Sequence, residues 1–195
     1  MAENKKTLYI DYNLCIGCES CEAVCGYLYG HPRIHMTRTS DGITVPISCH
    51  HCANPACLKA CNVNAFYQDD EGAVILDPKA CVGCMVCLSV CPFAAISHSR
   101  SGPYPVAKCD LCAERRAKGM LPACVEICPC GAILYGSPED IEAELRQRVA
   151  EGIVQAHMHP ERFGAEVGLR AMKKSLSVEG FAVDPASRSE FDAER

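Results

Sequence analysis

Up to Gly136 the apolar residues come in short runs, each cut off by glycine, proline, charge or cysteine. Thr7 to Asp11, Thr44 to Ile47 and Val74 to Leu76 have the length and side chains of short strands. Cys21 to Tyr29, Cys57 to Val63 and Met85 to Cys91 read as short helices. A phrase recurs: Cys61 then Ala65-Phe66, Cys91-Pro92 then Ala95-Ile96, and Cys128-Pro129 then Ala132-Ile133. It predicts a helix closing on a cysteine, then a turn into an apolar strand. Cys25-Gly26-Tyr27-Leu28 departs from the phrase. Elements this short bury little hydrocarbon, so stability must come largely from elsewhere.

After Gly136 the pattern changes. Ser137-Pro138-Glu139-Asp140 offers an N-cap, a proline at the first helical position and a capping-box acid. Ile141, Leu145, Val149 and Ile153 then recur every four residues, which predicts an amphipathic helix ending near Gly152 to Gln155. A second helix is expected from Pro160 through Phe163, Val167, Ala171 and Leu176, before a polar end from Val183 to Arg195. The expected division is 1–136 and 137–195.

Composition points to what replaces the missing core. Of 17 cysteines, sixteen fall into four quartets: Cys15, Cys18, Cys21, Cys25; Cys49, Cys52, Cys57, Cys61; Cys81, Cys84, Cys87, Cys91; and Cys109, Cys112, Cys124, Cys128. The first and third are spaced C-x2-C-x2-C-x3-C, and the third ends in Cys91-Pro92, the bacterial ferredoxin run for a [4Fe–4S] cluster. Three thiolates at this spacing wrap one face of a cubane, while the fourth points away and serves a second cluster. Structural zinc wants two cysteine pairs separated by a loop, and has no use for a third cysteine at x2 and a fourth at x3.

The chain also repeats. Tyr9-Ile10-Asp11, Cys15-Ile16-Gly17-Cys18 and Val24-Cys25 match Ile75-Leu76-Asp77, Cys81-Val82-Gly83-Cys84 and Val90-Cys91. Cys49-His50-His51-Cys52-Ala53 and Pro55-Ala56-Cys57-Leu58 match Cys109-Asp110-Leu111-Cys112-Ala113 and Pro122-Ala123-Cys124-Val125. The fourth quartet carries a charged insert, Glu114 to Leu121. The fold class expected is α+β: duplicated two-[4Fe–4S] ferredoxin-like modules with short strands and helices, plus a C-terminal helical extension.

Ala107-Lys108-Cys109-Asp110-Leu111-Cys112, followed by Arg115, Gly119, Pro122-Ala123-Cys124 and Cys128-Pro129, resembles the fourth motif of a known family. This is the family of four-cluster, ferredoxin-type iron–sulfur subunits of multi-subunit oxidoreductases. It includes the beta subunits of dimethyl sulfoxide reductase and formate dehydrogenase, and ferredoxin-like proteins of carbon monoxide dehydrogenase and hydrogenase systems. Cys49-His50-His51-Cys52 with Pro55 and Cys57 resembles its second motif, and the likeness spans about Thr7 to Gly136.

The resemblance implies four [4Fe–4S] clusters, with the first motif paired to the fourth and the second to the third. Cluster one would take Cys15, Cys18, Cys21 and Cys128; cluster two, Cys49, Cys52, Cys57 and Cys91. Cluster three would take Cys81, Cys84, Cys87 and Cys61; cluster four, Cys109, Cys112, Cys124 and Cys25. It also implies an order in space of one, two, three, four.

Other residues are weighed against this frame. Cys130 aligns with Val63 and is expected to be a small buried hydrophobe. His50 and His51 lie in a ligand loop, either serving the local fold or offering an imidazole N–H to a cluster sulfur. His157-Met158-His159 beside Pro160 reads as surface rather than a metal site. Arg115, Arg116 and Lys118 form a basic knot, read as a solvated loop, a docking patch or a balance to cluster charge.

The formal charge of −5 becomes about −13 once four dianionic clusters are counted, which argues against nucleic acid as a partner. No apolar stretch has the length of a membrane span, and no apolar signal region precedes Cys15, so a cytoplasmic location is expected. There is no G-x-G-x-x-G or G-x-x-x-x-G-K-[ST], hence no evident nucleotide site.

The expected function is non-catalytic: single electrons pass between a catalytic subunit and another redox partner. A molybdenum- or tungsten-pterin aldehyde, formate or related oxidoreductase is the expected catalytic subunit. Carbon monoxide dehydrogenase or hydrogenase is the alternative, and a flavin- or NAD-binding subunit or a ferredoxin is the other expected partner. A redox-sensing or assembly protein is the competing class. The segment 160–195 is expected to dock a partner subunit, so its deletion should abolish co-purification of the complex; an intact complex would refute this.

Overall fold

The computed structural model describes residues 5–99 and 105–158. In chain order the elements are β1 (Thr7–Ile10), α1 (Ser20–Tyr29), β2 (His35–Arg38), β3 (Thr44–Ile47), α2 (Ala56–Lys59), β4 (Phe66–Gln68) and β5 (Val74–Leu76). There follow α3 (Val86–Val90), β6 (Ile96–His98), β7 (Val106–Lys108), α4 (Ala113–Ala117), α5 (Ala123–Glu126), β8 (Ile133–Gly136) and α6 (Pro138–Met158). The mixture of short helices and strands matches the α+β expectation.

Strands pair two by two and antiparallel: β1 with β8, β2 with β3, β4 with β5, and β6 with β7. The β1–β8 pair sets Thr7 opposite Gly136 and Ile10 opposite Ile133. The strand before the first cysteine quartet is thus hydrogen-bonded to the strand after the last. In the same way β5, before the third quartet, pairs with β4, after the second. Helix α1 packs on α5, and α2 on α3.

Buried side chains form two clusters that follow this pairing. One joins Leu8, Ile10, Ile34, Leu111 and Ile133 to Cys21, Cys25 and Cys124. The other joins Phe66, Val74, Ile96 and Val106 to Cys87, with Cys57, Cys61, Cys81 and Cys91 against it. Cysteine sulfur fills each core alongside hydrocarbon.

The turn between β4 and β5 rests on Asp69, whose carboxylate accepts the N–H groups of Glu71 and Ala73 at 3.1 and 2.8 Å. Gly72 takes φ 77 there, a conformation that a side chain would strain. The α6 start follows the sequence: Asp140 N–H donates to Ser137 Oγ at 3.1 Å, and Asp140 Oδ2 accepts from the Ser137 backbone at 3.3 Å. The helix passes Gly152 and reaches Met158, beyond the expected end. A lone glycine costs about 1 kcal/mol, and Glu144–Arg148 and Gln147–Glu151 contacts support the flanking turns.

By compactness the chain divides into Met1–Ala143 and Glu144–Arg195, the second represented among the described residues by the rest of α6. Ile141 is buried, while Val149 and Ile153 are exposed. The expected second helix, the 160–195 docking segment and His159 lie outside the described residues.

Three elements were not expected: β2, whose sequence is half polar, β7, and α4 within the charged insert. Helix α2 is shorter than Cys57 to Val63, ending at Lys59, and Asn64 turns the chain with φ 52.

The basic knot is mostly not a solvated loop. The Arg116 side chain is 8% exposed and pairs with Asp69 and Glu71 of the β4–β5 turn, while its Nε donates to Leu111 O at 2.9 Å. Arg115 binds Glu126 and donates to Leu121 O. Only Lys118, paired with Glu114, is well exposed. Glu71 also accepts from Tyr135 of β8 at 3.1 Å and lies 3.5 Å from Lys6, so one carboxylate ties three distant segments together.

Partial burial works against the Glu71 charge, yet Arg116 and Tyr135 hold its carboxyl below the usual range. Stability from that depressed value is present above the unfolded carboxylate range and fades as pH falls through the folded one. Arg116→Ala should therefore cost about 2 kcal/mol at neutral pH, and the cost should shrink below about pH 4. Lys118→Ala should cost almost nothing. Urea titrations of each variant, read by loss of visible absorbance, check both.

Candidate metal centres

Short loops and helix starts carry the cysteines. Cys15 and Cys18 lie between β1 and α1, Cys21 and Cys25 lie one turn apart on α1, and Cys87 lies on α3. Gly17 and Gly83 adopt φ 67 and 72, and Glu19 and Met85 adopt φ 62 and 61, at matching places in the first and third quartets. Left-handed residues on either side of Cys18 and Cys84 curl the loop back on itself, turning backbone N–H groups inward. A Cβ on Gly83 would come within 3.0 Å of Pro105, so the loop's packing also demands glycine.

Several sulfurs already accept backbone hydrogen bonds. Cys49 Sγ accepts from His51 N–H at 3.4 Å and Cys109 Sγ from Leu111 N–H at 3.4 Å, at matching positions. Cys61 Sγ accepts from Ala65 N–H at 3.3 Å, and Cys25 Sγ from Arg33 N–H at 3.2 Å. Such bonds favour the thiolate form that metal requires.

The sulfurs surround cavities. Cys25, Cys109, Cys112 and Cys124 line one, with Leu8, Ile34 and Pro122. Cys49, Cys52, Cys57 and Cys91 line a second, with His50 and Phe93. Cys61, Cys81, Cys84 and Cys87 line a third, with Val82 and Val106. In each, cysteines from two motifs far apart in the chain meet. Cys15, Cys18, Cys21 and Cys128 adjoin through their charges: Cys128 raises Cys18, whose thiol is nonetheless lowered by its hydrogen bond with Ser20, and Cys18 and Cys15 raise Cys21.

Burial dominates the thiols without metal. It pushes Cys21 and Cys87 up to about 11, Cys124 up to about 12, and Cys109 well above its ordinary value. Neighbouring thiolates add to each shift. These sites favour thiolate only when a strong positive charge sits among the sulfurs.

Cys124 feels Cys21, Cys109 feels Cys49, and Cys87 feels Cys57, so thiols from different motifs are neighbours. The strand pairing is the reason: β1 with β8 closes the last quartet against the first, and β4 with β5 brings the second against the third.

The cavities suit a bulky polynuclear group. Tetrahedral zinc would draw four sulfurs to about 3.8 Å from one another. Among the described residues no three His, Cys, Asp or Glu side chains converge closely enough for a single ion. His51 adds a second sign of fit: it is fully buried, its Nδ1 accepts the Val74 N–H at 3.0 Å, and its Nε2 has no partner among the described residues. With Nδ1 accepting, Nε2 carries the hydrogen and calls for an acceptor that the described residues do not supply. Burial, with Lys108 and Arg116, pushes the ring down to about 2, so it stays neutral.

His50 stacks on Phe93 with ring centroids 3.9 Å apart. Cys130 is half-buried rather than buried, correcting the expectation, and its sulfur lies 3.7 Å from Cys128 Sγ. Its side chain helps hold the Cys128 thiol low, against partial burial. His157 Nδ1 is 2.9 Å from Ile153 O, within its own helix. Lys108, missed as a site residue in the sequence, and Arg116, weighed there as a balance to cluster charge, both have buried side chains, donating to the carbonyls of Cys109 and Leu111 in the fourth cysteine segment.

No helix among the described residues is long and apolar enough to cross a membrane. Comparison with known proteins finds a family model, the 4Fe-4S dicluster domain, matching residues 40–138, half of the chain. A tetrathionate reductase subunit of Salmonella typhimurium is 34% identical over 152 residues, covering 70% of this chain and 60% of that one. The thiosulfate reductase electron transfer subunit PhsB of Salmonella typhi is 32% identical, covering 72% of this chain and 80% of that one. The Hydrogenase-2 operon protein HybA of Escherichia coli O157:H7 is 29% identical, covering 72% and 54%. The chain thus spans about half to four-fifths of the length of the relatives it matches. With paired cysteine motifs meeting around cavities and a family model covering half its length, the chain belongs to the 4Fe-4S dicluster domain family.

Proposed function

We propose that this chain is a non-catalytic electron-transfer subunit holding four [4Fe–4S] clusters within 1–136, with 137–195 serving to dock a partner. The ligand sets proposed are Cys15, Cys18, Cys21, Cys128; Cys49, Cys52, Cys57, Cys91; Cys81, Cys84, Cys87, Cys61; and Cys109, Cys112, Cys124, Cys25. What carries the reading is that three of these sets each line a cavity of their own, although each combines two distant motifs. When bound, each cluster supplies one-electron chemistry within its thiolate cage.

The chain's own part is to hold four sulfurs around each site, to point N–H groups at them, and to keep adjoining sites close. The pairing of quartets one with four and two with three is read as a duplicated module, supported by the repeated motifs and by matching left-handed residues. All 17 cysteines are unpaired, which suits a reducing, cytoplasmic compartment.

A molybdenum- or tungsten-pterin oxidoreductase is proposed as the catalytic partner, supported by relatives named as subunits of tetrathionate and thiosulfate reductases. HybA supports hydrogenase as the second reading. A wire needs a second end, for which a flavin- or NAD-binding subunit or a ferredoxin is proposed.

Anaerobically purified protein should contain about 16 iron and 16 acid-labile sulfide per chain. Cys57→Ser should lose about four iron, while Cys130→Ser, which keeps a donor near Cys128, should lose none. A wild-type count near eight, or stoichiometric zinc, would overturn the four-cluster reading. Metal analysis of the co-purified complex for molybdenum, tungsten and nickel separates the two partner readings.

A further inference from the structure

Lys108 ends β7, immediately before Cys109, and is 3% exposed. Its ammonium donates to two backbone carbonyls, that of Val74 and that of Cys109, the latter at 2.8 Å. No ion pair among the described residues includes it. Two carbonyls solvate an ammonium but do not neutralise it, and a buried charge without a counter-charge is strongly unfavourable. Arg116, the other buried cation nearby, has two carboxylates.

Geometry places this charge between two cysteine sets. Val74, whose carbonyl accepts from the ammonium, lines the cavity of Cys49, Cys52, Cys57 and Cys91, and Cys109, whose carbonyl also accepts, lines that of Cys25, Cys112 and Cys124. Lys108 therefore serves two adjoining sites at once.

Its anchor is fixed from the other side. Val74 donates its N–H to His51 Nδ1 and accepts at its C=O from Lys108, so one residue of β5 is gripped by side chains from the second and fourth cysteine segments. With its Nδ1 accepting, the His51 ring is neutral, which leaves the ammonium as the charge there. In the aligned positions of the repeat, Leu111 stands for His51 and Ser48 for Lys108, both buried. The backbone arrangement thus does not by itself require a cation there.

We infer that Lys108 is the shared counter-cation of the second and fourth cysteine sets, making the clusters they hold more readily reduced than those of the first and third. This rests on the four-cluster reading. Lys108 acts as a positioning residue through its fixed charge, since a nearby positive charge favours the extra electron.

The test is a potentiometric titration of the full-length protein followed by electron paramagnetic resonance. Lys108→Gln keeps a donor for the carbonyls but loses the charge, and Lys108→Met keeps the length. At a fixed potential, the reduced-to-oxidised ratio of the second and fourth clusters should fall at least about tenfold in both variants, about 59 mV for one electron. The first and third should shift much less. Equal shifts at all four, or no shift with full iron content, would overturn the inference, because a merely structural lysine leaves the potentials unmoved.

If neither variant loads, the wild-type titration decides. Signals lost in Cys57→Ser and in Cys124→Ser should be those reduced first; if they are reduced last, the inference fails. The wild-type iron count reports separately on the four-cluster reading.

Discussion

Apart from α1 and α6 the helices have only four or five residues and the strands three or four, too little to enclose a large hydrocarbon core, so burial of cysteine sulfur is the constraint on which this structure turns. Cys21, Cys25, Cys87, Cys112 and Cys124 are as buried as the leucines and isoleucines around them. Burial alone makes these thiols poor ligands, since it raises the cost of every thiolate. The same placement makes sense once a strong positive charge is shared among four sulfurs, because then the low-polarity surroundings strengthen the attraction. Packing and metal binding are therefore one design decision: the residues that close the core are those that need the metal.

Meeting that demand forces distant parts of the chain together. Cys25 shares a cavity with Cys109, Cys112 and Cys124, and pairing of the first and last strands is what brings those segments together. Polar ties hold the result where hydrocarbon is scarce. Glu71 joins Arg116, Tyr135 and Lys6, and the Val74 backbone joins His51 and Lys108. Each tie runs from a polar side chain elsewhere in the chain to the β4–β5 hairpin. That hairpin is small, yet both halves of the chain lean on it.

Motif spacing made the cysteines legible because cubane ligation restricts residue type and interval together. Strands β1, β3 and β5 were legible because each is a short apolar run ahead of a quartet. Strand β2, His35–Arg38, was not, since its side chains are half-buried or exposed and its place is set by pairing with β3. Arg116 was left among three readings for a similar reason: a charge run looks solvated until the fold brings Asp69 and Glu71 to it. The pairing of β1 with β8 was also hidden, because spacing along the chain says nothing of which strands meet.

The internal repeat would by itself give two equal halves, and the departures from it show where they differ. Leu111 is fully buried in the same core as Leu8, and the aligned His51 lies against Val74, which aligns with Leu8. Ser48 lines the cavity of Cys109, Cys112, Cys124 and Cys25, while the aligned Lys108 carries a charge into the region between two cavities. Apolar or hydroxyl side chains serve the backbone at one pair of positions; an imidazole and an ammonium serve it at the other. Backbone sulfur contacts are nearly the same in both, with Cys49 and Cys109 each accepting at 3.4 Å from the residue two further on. The local cradle is therefore common to the aligned sites, and the difference between them lies in charge placed just behind it. A relay of chemically identical groups needs such differences to have a direction, and side chains outside the ligand set are the means this chain has to create them.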